Sequence, residues 1–447
     1  MEQTRDIDEL NALVADGTDQ EIRAFLRIIH PADIADLVES LDDKGRKRLF
    51  EVMDPQIAGH VVSELEEPYL KHLLKRLRPE EISKLLEGMD SDDAADILSE
   101  LSEEQAQAVM GLMDAEAVAE VSELLLYPED TAGGIMQSEV LALNENTTVS
   151  QATEEIRARA EGLGELHNVY ITDDKGKLKG VVPLRSLILA GPDTKLKDIM
   201  EPNVISAQVY ADQEEVADLF RRYDLVSLPV VDEDGTLVGR VTVDDIMDVM
   251  AEEADEDFLK MAGSVEEEVF SSFRKSLVAR FPWLLATWFG GLLNALILSK
   301  FENAFQEFLL FIPFLPLILA MGGNVGNQSA TIVVRGLATG RLDGRLMWKV
   351  VGKEMLLGIA LGAIYGLLLG IYALHTGRGP ETIALIIGLS LTIQLGLAAI
   401  SGVLLPIAFY RMKIDPALAT APFISTSMDI IGATIYFSLA LAVLTRW

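Results

Sequence analysis

PALATAPFISTSMDIIGATIYFSLALAVLT, residues 416–445, is apolar along its length and carries a single charge, Asp429, near its middle. A bilayer span needs about 20 such residues. A carboxylate held at that depth costs at least ~2.5–3.5 kcal/mol. Two arrangements meet that cost. Either Asp429 is a structural residue hydrogen-bonded to a neighbouring helix, or it faces a polar cavity and holds a cation. The rest of the chain decides between them.

Four further apolar stretches lie near 281–299, 308–334, 351–374 and 382–410; with 417–445 they predict five membrane spans. Basic residues gather before the first span (Arg274, Lys275, Arg280), between the second and third (Arg335, Arg341, Arg345, Lys349, Lys353) and between the fourth and fifth (Arg411, Lys413). The other two connections hold Lys300 and Arg378. Positive residues mark the cytosolic side, so the N-terminus is expected in the cytosol and the C-terminus outside. The opening MEQTRDIDEL is acidic and lacks an apolar core, so no signal peptide is expected.

Charge divides the chain sharply. Residues 271–447 hold 13 of the 37 Lys and Arg and 7 of the 70 Asp and Glu, a net of +6; the first 270 hold the other 24 and 63, a net of −39. So acidic a segment repels phosphate, which excludes nucleic acid as a partner, and attracts cations. The absence of cysteine excludes disulfides, thiol chemistry and Cys-ligated zinc. His30, His60, His72, His167 and His375 show neither metal-ligand spacing nor a nucleophile–base pattern, so no enzyme is expected. His30, before Pro31, reads as a helix-start residue.

The second span contains Met321-Gly-Gly-Asn-Val-Gly-Asn-Gln-Ser-Ala330. Its glycines suit close helix packing or an exposed backbone lining a wet cavity. Asn324, Asn327 and Gln328 together point to polar lining, or to support just behind it. Pro313, Pro316 and Pro406 are expected to interrupt spans.

Within 30–130 an apolar marker recurs every 12 residues: Leu41, Met53, Leu65, Leu77, Met89, Leu101, Met113. Between markers run segments such as PADIADLVESL, PEEISKLLEGM and SDDAADILSEL, each a helix start followed by helical apolar spacing. They predict a stacked array of short helices. Residues 132–257 hold a different duplication. Gly134-Ile-Met136 matches Asp198-Ile-Met200, and Val169-Tyr-Ile-Thr-Asp-Asp-Lys-Gly-Lys-Leu-Lys-Gly180 matches Pro229-Val-Val-Asp-Glu-Asp-Gly-Thr-Leu-Val-Gly239. Each half reads as a helix, two strands joined by an Asp/Gly turn, and a helix. This resembles a tandem pair of CBS domains, small α/β modules that often bind adenine nucleotides. The Thr and Asp such sites use near the last helix match Thr242 and Asp245, and the equivalent segment 180–187 lacks both, so one nucleotide site is implied rather than two. The run VDDIMDVMAEEADEDF (243–258) places Asp245 with Asp248, and Glu253 with Glu256 and Asp257, on shared helix faces. It is either a solvated acidic surface or part of a gate.

The whole order resembles the MgtE family of magnesium channels, over nearly the full chain. The resemblance rests most on GGNVGNQSATIVVRGLATG (322–340), KIDPAL (413–418) and SMDIIG (427–432). It implies a multidomain protein: an all-α helical-repeat N domain (1–130), an α/β CBS pair (131–248), a long connecting or plug helix (249–275) and a five-helix α transmembrane domain (276–447). It further implies a homodimer in a bacterial-type inner membrane, with divalent cations, Mg2+ foremost, passing a pore on the two-fold axis between the second and fifth spans. Asp429 matches the central ion-binding residue and Asp415 the cytosolic mouth, with Asn324, Asn327, Gln328 and Ser425 lining or supporting the pore. The acids that hold regulatory Mg2+ match Asp92, Glu214, Asp224, Asp245 and Asp248, and on the plug Glu253, Glu256 and Asp257. ATP or another adenine nucleotide is implied at Thr242 and Asp245. His60 and Ala421 depart from the family pattern, which puts gating affinity and the inner pore lining in doubt. The rivals are a membrane-bound sensor that moves no ion, and a coupled transporter with Asp429 as proton site. The latter needs further intramembrane ionisable groups, and only Glu354 and Lys353 come near.

Overall fold

The computed structural model describes residues 12–14, 16–159, 166–262, 273–301, 311–339, 342, 346–375, 381–419 and 421–444. The chain forms two compact units, 1–250 and 251–447.

In the first unit the 12-residue rhythm becomes nine short helices among the described residues. They are α1 (Asp19–Leu26), α2 (Pro31–Ser40), α3 (Asp43–Val52), α4 (Pro55–Ser63), α5 (Glu67–Leu74), α6 (Pro79–Leu86), α7 (Ser91–Ser99), α8 (Glu103–Met110) and α9 (Ala115–Leu124). Proline opens α2, α4 and α6, where its missing N–H costs nothing. His30 caps α2, its Nδ1 accepting from the Ala32 N–H at 3.3 Å, so the helix-start reading of His30 holds. The rhythm residues fall where helices end: Leu41 and Met53 close α2 and α3, and both are buried, as is Leu65. A helix of eight to ten residues has too small an apolar face to persist alone. Here most pack on the next but one, α1 on α3, α2 on α4, α4 on α6, α6 on α8 and α7 on α9, to make one continuous core.

The duplicated segment gives β1 (Ala142–Asn144), α10 (Val149–Ala158), β2 (Asn168–Thr172), β3 (Leu178–Pro183), α11 (Leu184–Leu189) and α12 (Leu196–Ile199). After these come β4 (Ala207–Gln208), α13 (Gln213–Tyr223), β5 (Ser227–Val231), β6 (Leu237–Thr242) and α14 (Val243–Met261). Two three-stranded sheets result, ordered β1-β2-β3 and β4-β5-β6, each with a parallel first pair and an antiparallel hairpin. The sequence reading omitted β1 and β4. They are three and two residues long, too short to show a period. Both hairpins turn on a glycine with positive φ, Gly176 at 78° and Gly235 at 82°, a conformation that costs other residues dearly. The halves are interlocked. Gln137 exchanges backbone hydrogen bonds with Arg240, and Glu201 with Val181. Met136 lies against Gly239 and Met200 against Gly180, where a Cβ would come within 2.6 Å of either sulfur. The repeated motifs thus mark contacts made across the duplication.

Among the described residues the second unit contains the end of α14 and five long helices: α15 (Phe273–Ser299), α16 (Leu315–Ala338), α17 (Leu346–His375), α18 (Glu381–Arg411) and α19 (Ala421–Leu444). Among the described residues, α15, α17, α18 and the segment Pro416–Ala442 are long and apolar enough to cross a membrane. Helix α16 has the length, about 36 Å at 1.5 Å per residue, but its Gly/Asn-rich stretch lowers its hydropathy. Pro313 and Pro316 were expected to interrupt a span, but neither lies in the interior of α16. Pro313 sits in a 3-10 turn (Ile312–Phe314) and Pro316 in the first turn of α16, both where proline is tolerated. Pro406 does lie inside α18, and Pro282 inside α15. Helices α17 and α18 pack through a stripe of small residues. Gly358, Gly362, Gly366 and Gly370 face α18, and a Cβ at Gly366 would lie 2.5 Å from the Gly388 carbonyl. Helix α16 packs on α18 and α19, and α15 touches chiefly α19 with no buried residue of its own. Of the connecting helix expected over 249–275, residues 263–272 fall outside the described residues; the part seen, α14, starts earlier, directly from β6.

Candidate functional site

On α19, Asp429 is half-buried. Among the described residues nothing hydrogen-bonds or ion-pairs with its carboxylate. One turn earlier, Ser425 accepts from Asn327 Nδ2 of α16 at 3.1 Å. Asn327 is thus support for α19. Asn324 and Gln328 are exposed, and with Thr331 they form a polar stripe at helical spacing along α16. The glycines point the other way. A Cβ at Gly322 would meet Gln394 and one at Gly326 would meet Ile424, so these two are packing residues.

Asp415 precedes a 3-10 turn (Pro416–Ala419) at the foot of α19 and caps it, Oδ1 accepting from the Ala417 N–H at 2.8 Å. Its Oδ2 pairs with Lys260 Nζ of α14 at 2.8 Å, and Lys260 also contacts Glu256. Burial alone would lower the Lys260 ammonium, but Asp415 and Glu256 together hold it above its usual range. Burial, then Asp415, pushes Asp257 up to about 6. Glu253 lies a turn before Asp257 on the same helix face.

In the first unit the start of α7 is held against the segment ahead of β1. Ser91 Oγ donates to Glu139 at 2.7 Å and accepts from the Ser138 N–H at 2.8 Å. This brings Asp92 and Asp93 beside Asp245 of α14. Burial, then the Asp245 charge, raises Asp92 well above the carboxylate range and Asp93 to about 7. Asp245 is raised to about 6 by burial, against the hold of Thr242, whose hydroxyl donates to Oδ2 at 2.5 Å. Among the described residues no Lys or Arg pairs with Asp92, Asp93 or Asp245. Their charge is uncompensated. Asp248 and Asp224 are exposed; Asp224 ends α13 in the left-handed region, which Asp tolerates. Glu214 lies in the first turn of α13, about 15 Å from Asp224 along the axis. One chain therefore cannot bring both to a single ion. Among the described residues no three His, Asp or Glu side chains form a ready metal cage. His60 is exposed on α4.

Three residues at these places were missed in the sequence. Lys260 is hidden in an acidic run, Asp93 sits beside the Asp92 that was singled out, and Gln394 is one amide in an apolar helix. Only packing distinguishes them.

Residues 315–439 match the family described as "Divalent cation transporter", 29–130 the "MgtE intracellular N domain", and 132–193 and 196–252 the CBS domain. The chain is 36% identical over 441 residues to the magnesium transporter MgtE of Thermus thermophilus (96% of this chain, 97% of that one). It is 34% identical over 433 residues to that of Bacillus subtilis (96% and 95%). Among solved structures, the cytosolic domain of the Mg2+ channel MgtE in complex with ATP matches with a TM-score of 0.52 and 38% identity, over 54% of this chain and 99% of that one. The soluble part of a magnesium transporter matches with a TM-score of 0.53 and 33% identity, over 56% and 99%.

Proposed function

The chain belongs to the MgtE family, and from that premise we propose that it carries Mg2+ across the cytoplasmic membrane and is closed by Mg2+ on the cytosolic side. The observation that carries the reading is the Asp429 carboxylate, without a partner among the described residues in an apolar helix that packs on α16. A structural Asp would have found a hydrogen bond in a neighbouring helix. Two chains related by a two-fold axis would present two such carboxylates and two such stripes to one pathway.

Mg2+ prefers six oxygens at ~2.0–2.1 Å, sheds water reluctantly, and is usually held by one or two carboxylates with several waters kept. Two Asp429 side chains suit a hydrated ion held through its waters. Monovalent ions compete poorly for a doubly anionic site. Full dehydration would bind too tightly to conduct.

The regulatory acids divide into two places. At Asp92, Asp93 and Asp245, uncompensated carboxylates repel until cations join them, so Mg2+ favours the compact arrangement. At the foot of α19, Asp415 and Glu256 share Lys260, and Asp257 stands beside them. Glu214, Asp224 and Asp248 add weaker, exposed sites, and Glu253 a half-buried one. Several sites together supply the ~5.5 kcal/mol that inverts a 1:99 equilibrium. One adenine nucleotide, ATP in the first instance, binds where Thr242 and Asp245 meet. The N-terminus faces the cytosol and the C-terminus the outside.

The test is Mg2+ uptake into liposomes holding the full-length protein, with Mg2+ on the cytosolic-domain face varied from near zero to ~10 mM, a range that saturates millimolar sites. Fast flux that shuts off as that face fills is expected, and Asp429→Ala abolishes it. Near wild-type flux in Asp429→Ala refutes the ion site.

A further inference from the structure

Gln394 lies in the apolar run Leu391-Thr-Ile-Gln-Leu395 of α18 and is fully buried. It is wedged where three helices meet. A Cβ on Gly322 of α16 would come within 2.3 Å of its Nε2, and one on Gly432 of α19 within 2.2 Å of the same atom. The amide fits because both neighbours are glycine. Nε2 donates to the Met428 carbonyl in a long contact of 3.5 Å, and Oε1 has no partner among the described residues.

An apolar side chain of similar size would fill this space and leave no carbonyl oxygen unpaired at membrane depth. Packing therefore does not account for a glutamine. Its neighbours do. Met428 immediately precedes Asp429, and Gly432 follows it by three residues, on the next turn of α19. On the other side, Asn327 holds Ser425, four residues before Asp429. One amide from α16 holds α19 one turn before the carboxylate, at Ser425, and one from α18 reaches the residue next to it, at Met428.

We propose that Gln394 is a positioning residue for ion selection. Seated between Gly322 and Gly432, its amide fixes the Met428–Asp429 turn so that the carboxylate keeps one aim toward the hydrated cation. It touches no ion and acts through the α19 backbone. The proposal rests on the reading of Asp429 as the ion-binding group. Without the amide the fold persists, but the carboxylate wanders, and a site tuned to one hydrated radius accepts others.

The experiment compares wild type, Gln394→Leu, Gln394→Met and Asp429→Ala, each full-length in liposomes. Initial Mg2+ uptake is measured against Mg2+ concentration, alone and with Ca2+ competing, and the thermal midpoint is recorded in detergent. The expected result is an unchanged midpoint in the two Gln394 variants, with half-saturating Mg2+ raised about tenfold or more, as misplacement of a binding group by an ångström allows, and weaker discrimination against Ca2+. Leu and Met differ in shape, so a folding defect in the branched variant leaves the unbranched one to decide. Unchanged half-saturation and discrimination, with Asp429→Ala inactive, overturns the role of Gln394 and leaves the ion site standing. Midpoint and flux falling together at constant half-saturation marks Gln394 as a packing residue and also overturns it. Normal transport by Asp429→Ala overturns both readings.

Discussion

Asp93→Asn should make the cytosolic segment more stable at alkaline pH and less responsive to Mg2+. In the folded state Asp93 is held at about 7, from an ordinary 3.8, by burial and by the Asp245 charge. Between those values the native state binds a proton that the unfolded state does not, so stability falls as pH rises and the full penalty stands above about pH 7. At 1.36 kcal/mol per pKa unit the rise corresponds to about 4 kcal/mol. Asp93 keeps partial contact with solvent, which screens the charge and lowers this to about 2 kcal/mol. Asp92 and Asp245 act in the same direction. Asp173 and Asp232, held low by turn N–H groups, act in the opposite direction, but both are partly open to solvent, which weakens their effect. For a unit of this size 2 kcal/mol is about 4–8 °C in Tm.

The assay is thermal unfolding of the segment 1–262 by circular dichroism, a piece that corresponds closely to the soluble part solved for a relative. Without Mg2+, wild type should melt about 2–4 °C higher near pH 5.5 than near pH 8, because about half of the penalty builds up between pH 5.5 and 7. At the higher pH, ~10 mM Mg2+ acting on a millimolar site restores about 1.4 kcal/mol. Asp93→Asn should flatten the pH slope and lose part of the Mg2+ response. A wild-type segment no more stable near pH 5.5 than near pH 8, or an Asp93→Asn slope like wild type, refutes the reasoning.

Lys260→Met removes the cation shared by Asp415 and Glu256; a partly exposed pair is worth ~0.2–1 kcal/mol, so the Mg2+ concentration that halves flux should shift by up to about fivefold, and an unmoved curve counts against a gating role. Gly366→Ala drives a methyl into the Gly388 carbonyl and should lower stability by ~1–3 kcal/mol, whereas Gly352→Ala, with open space at its Cβ, should leave the midpoint unmoved; equal midpoints in the two would contradict the α17–α18 contact. Thr242→Val should abolish ATP binding by calorimetry, and retained affinity would move the nucleotide elsewhere.

The parts legible in the sequence are those where one physical rule acts alone. Helices of the N domain were readable because proline starts and a 12-residue spacing recur without interruption, and the spans because apolar length is a demand of the bilayer. The strands β1 and β4 were not, since two or three residues carry no period. The exchange between Gln137 and Arg240 was foreshadowed only by the offset of two repeated motifs, whose meaning needs the third dimension. The glycines of Met321–Ala330 invited two readings, and packing separates them. Gly322 and Gly326 face helices while Asn324 and Gln328 face outward, because 3.6 residues per turn puts neighbours in sequence on different sides.

On the proposed function the two units would handle cations in different ways, for reasons set by the chemistry of Mg2+. A pathway must let its ion leave, so one carboxylate per chain, acting through retained waters, is as much charge as transit tolerates. A sensor has the opposite need. It must stay open against ambient cations and close over a narrow rise in concentration, which takes several weak sites whose occupancies sum. Under the proposed function Asp92, Asp93 and Asp245 would meet that need, because burial makes their mutual repulsion expensive and each bound cation would relieve more than its own contact energy. Exposed acids such as Asp224 and Asp248, screened by water, cannot store that repulsion. On this argument the threshold of closure is set by the buried trio, and the exposed acids adjust its steepness.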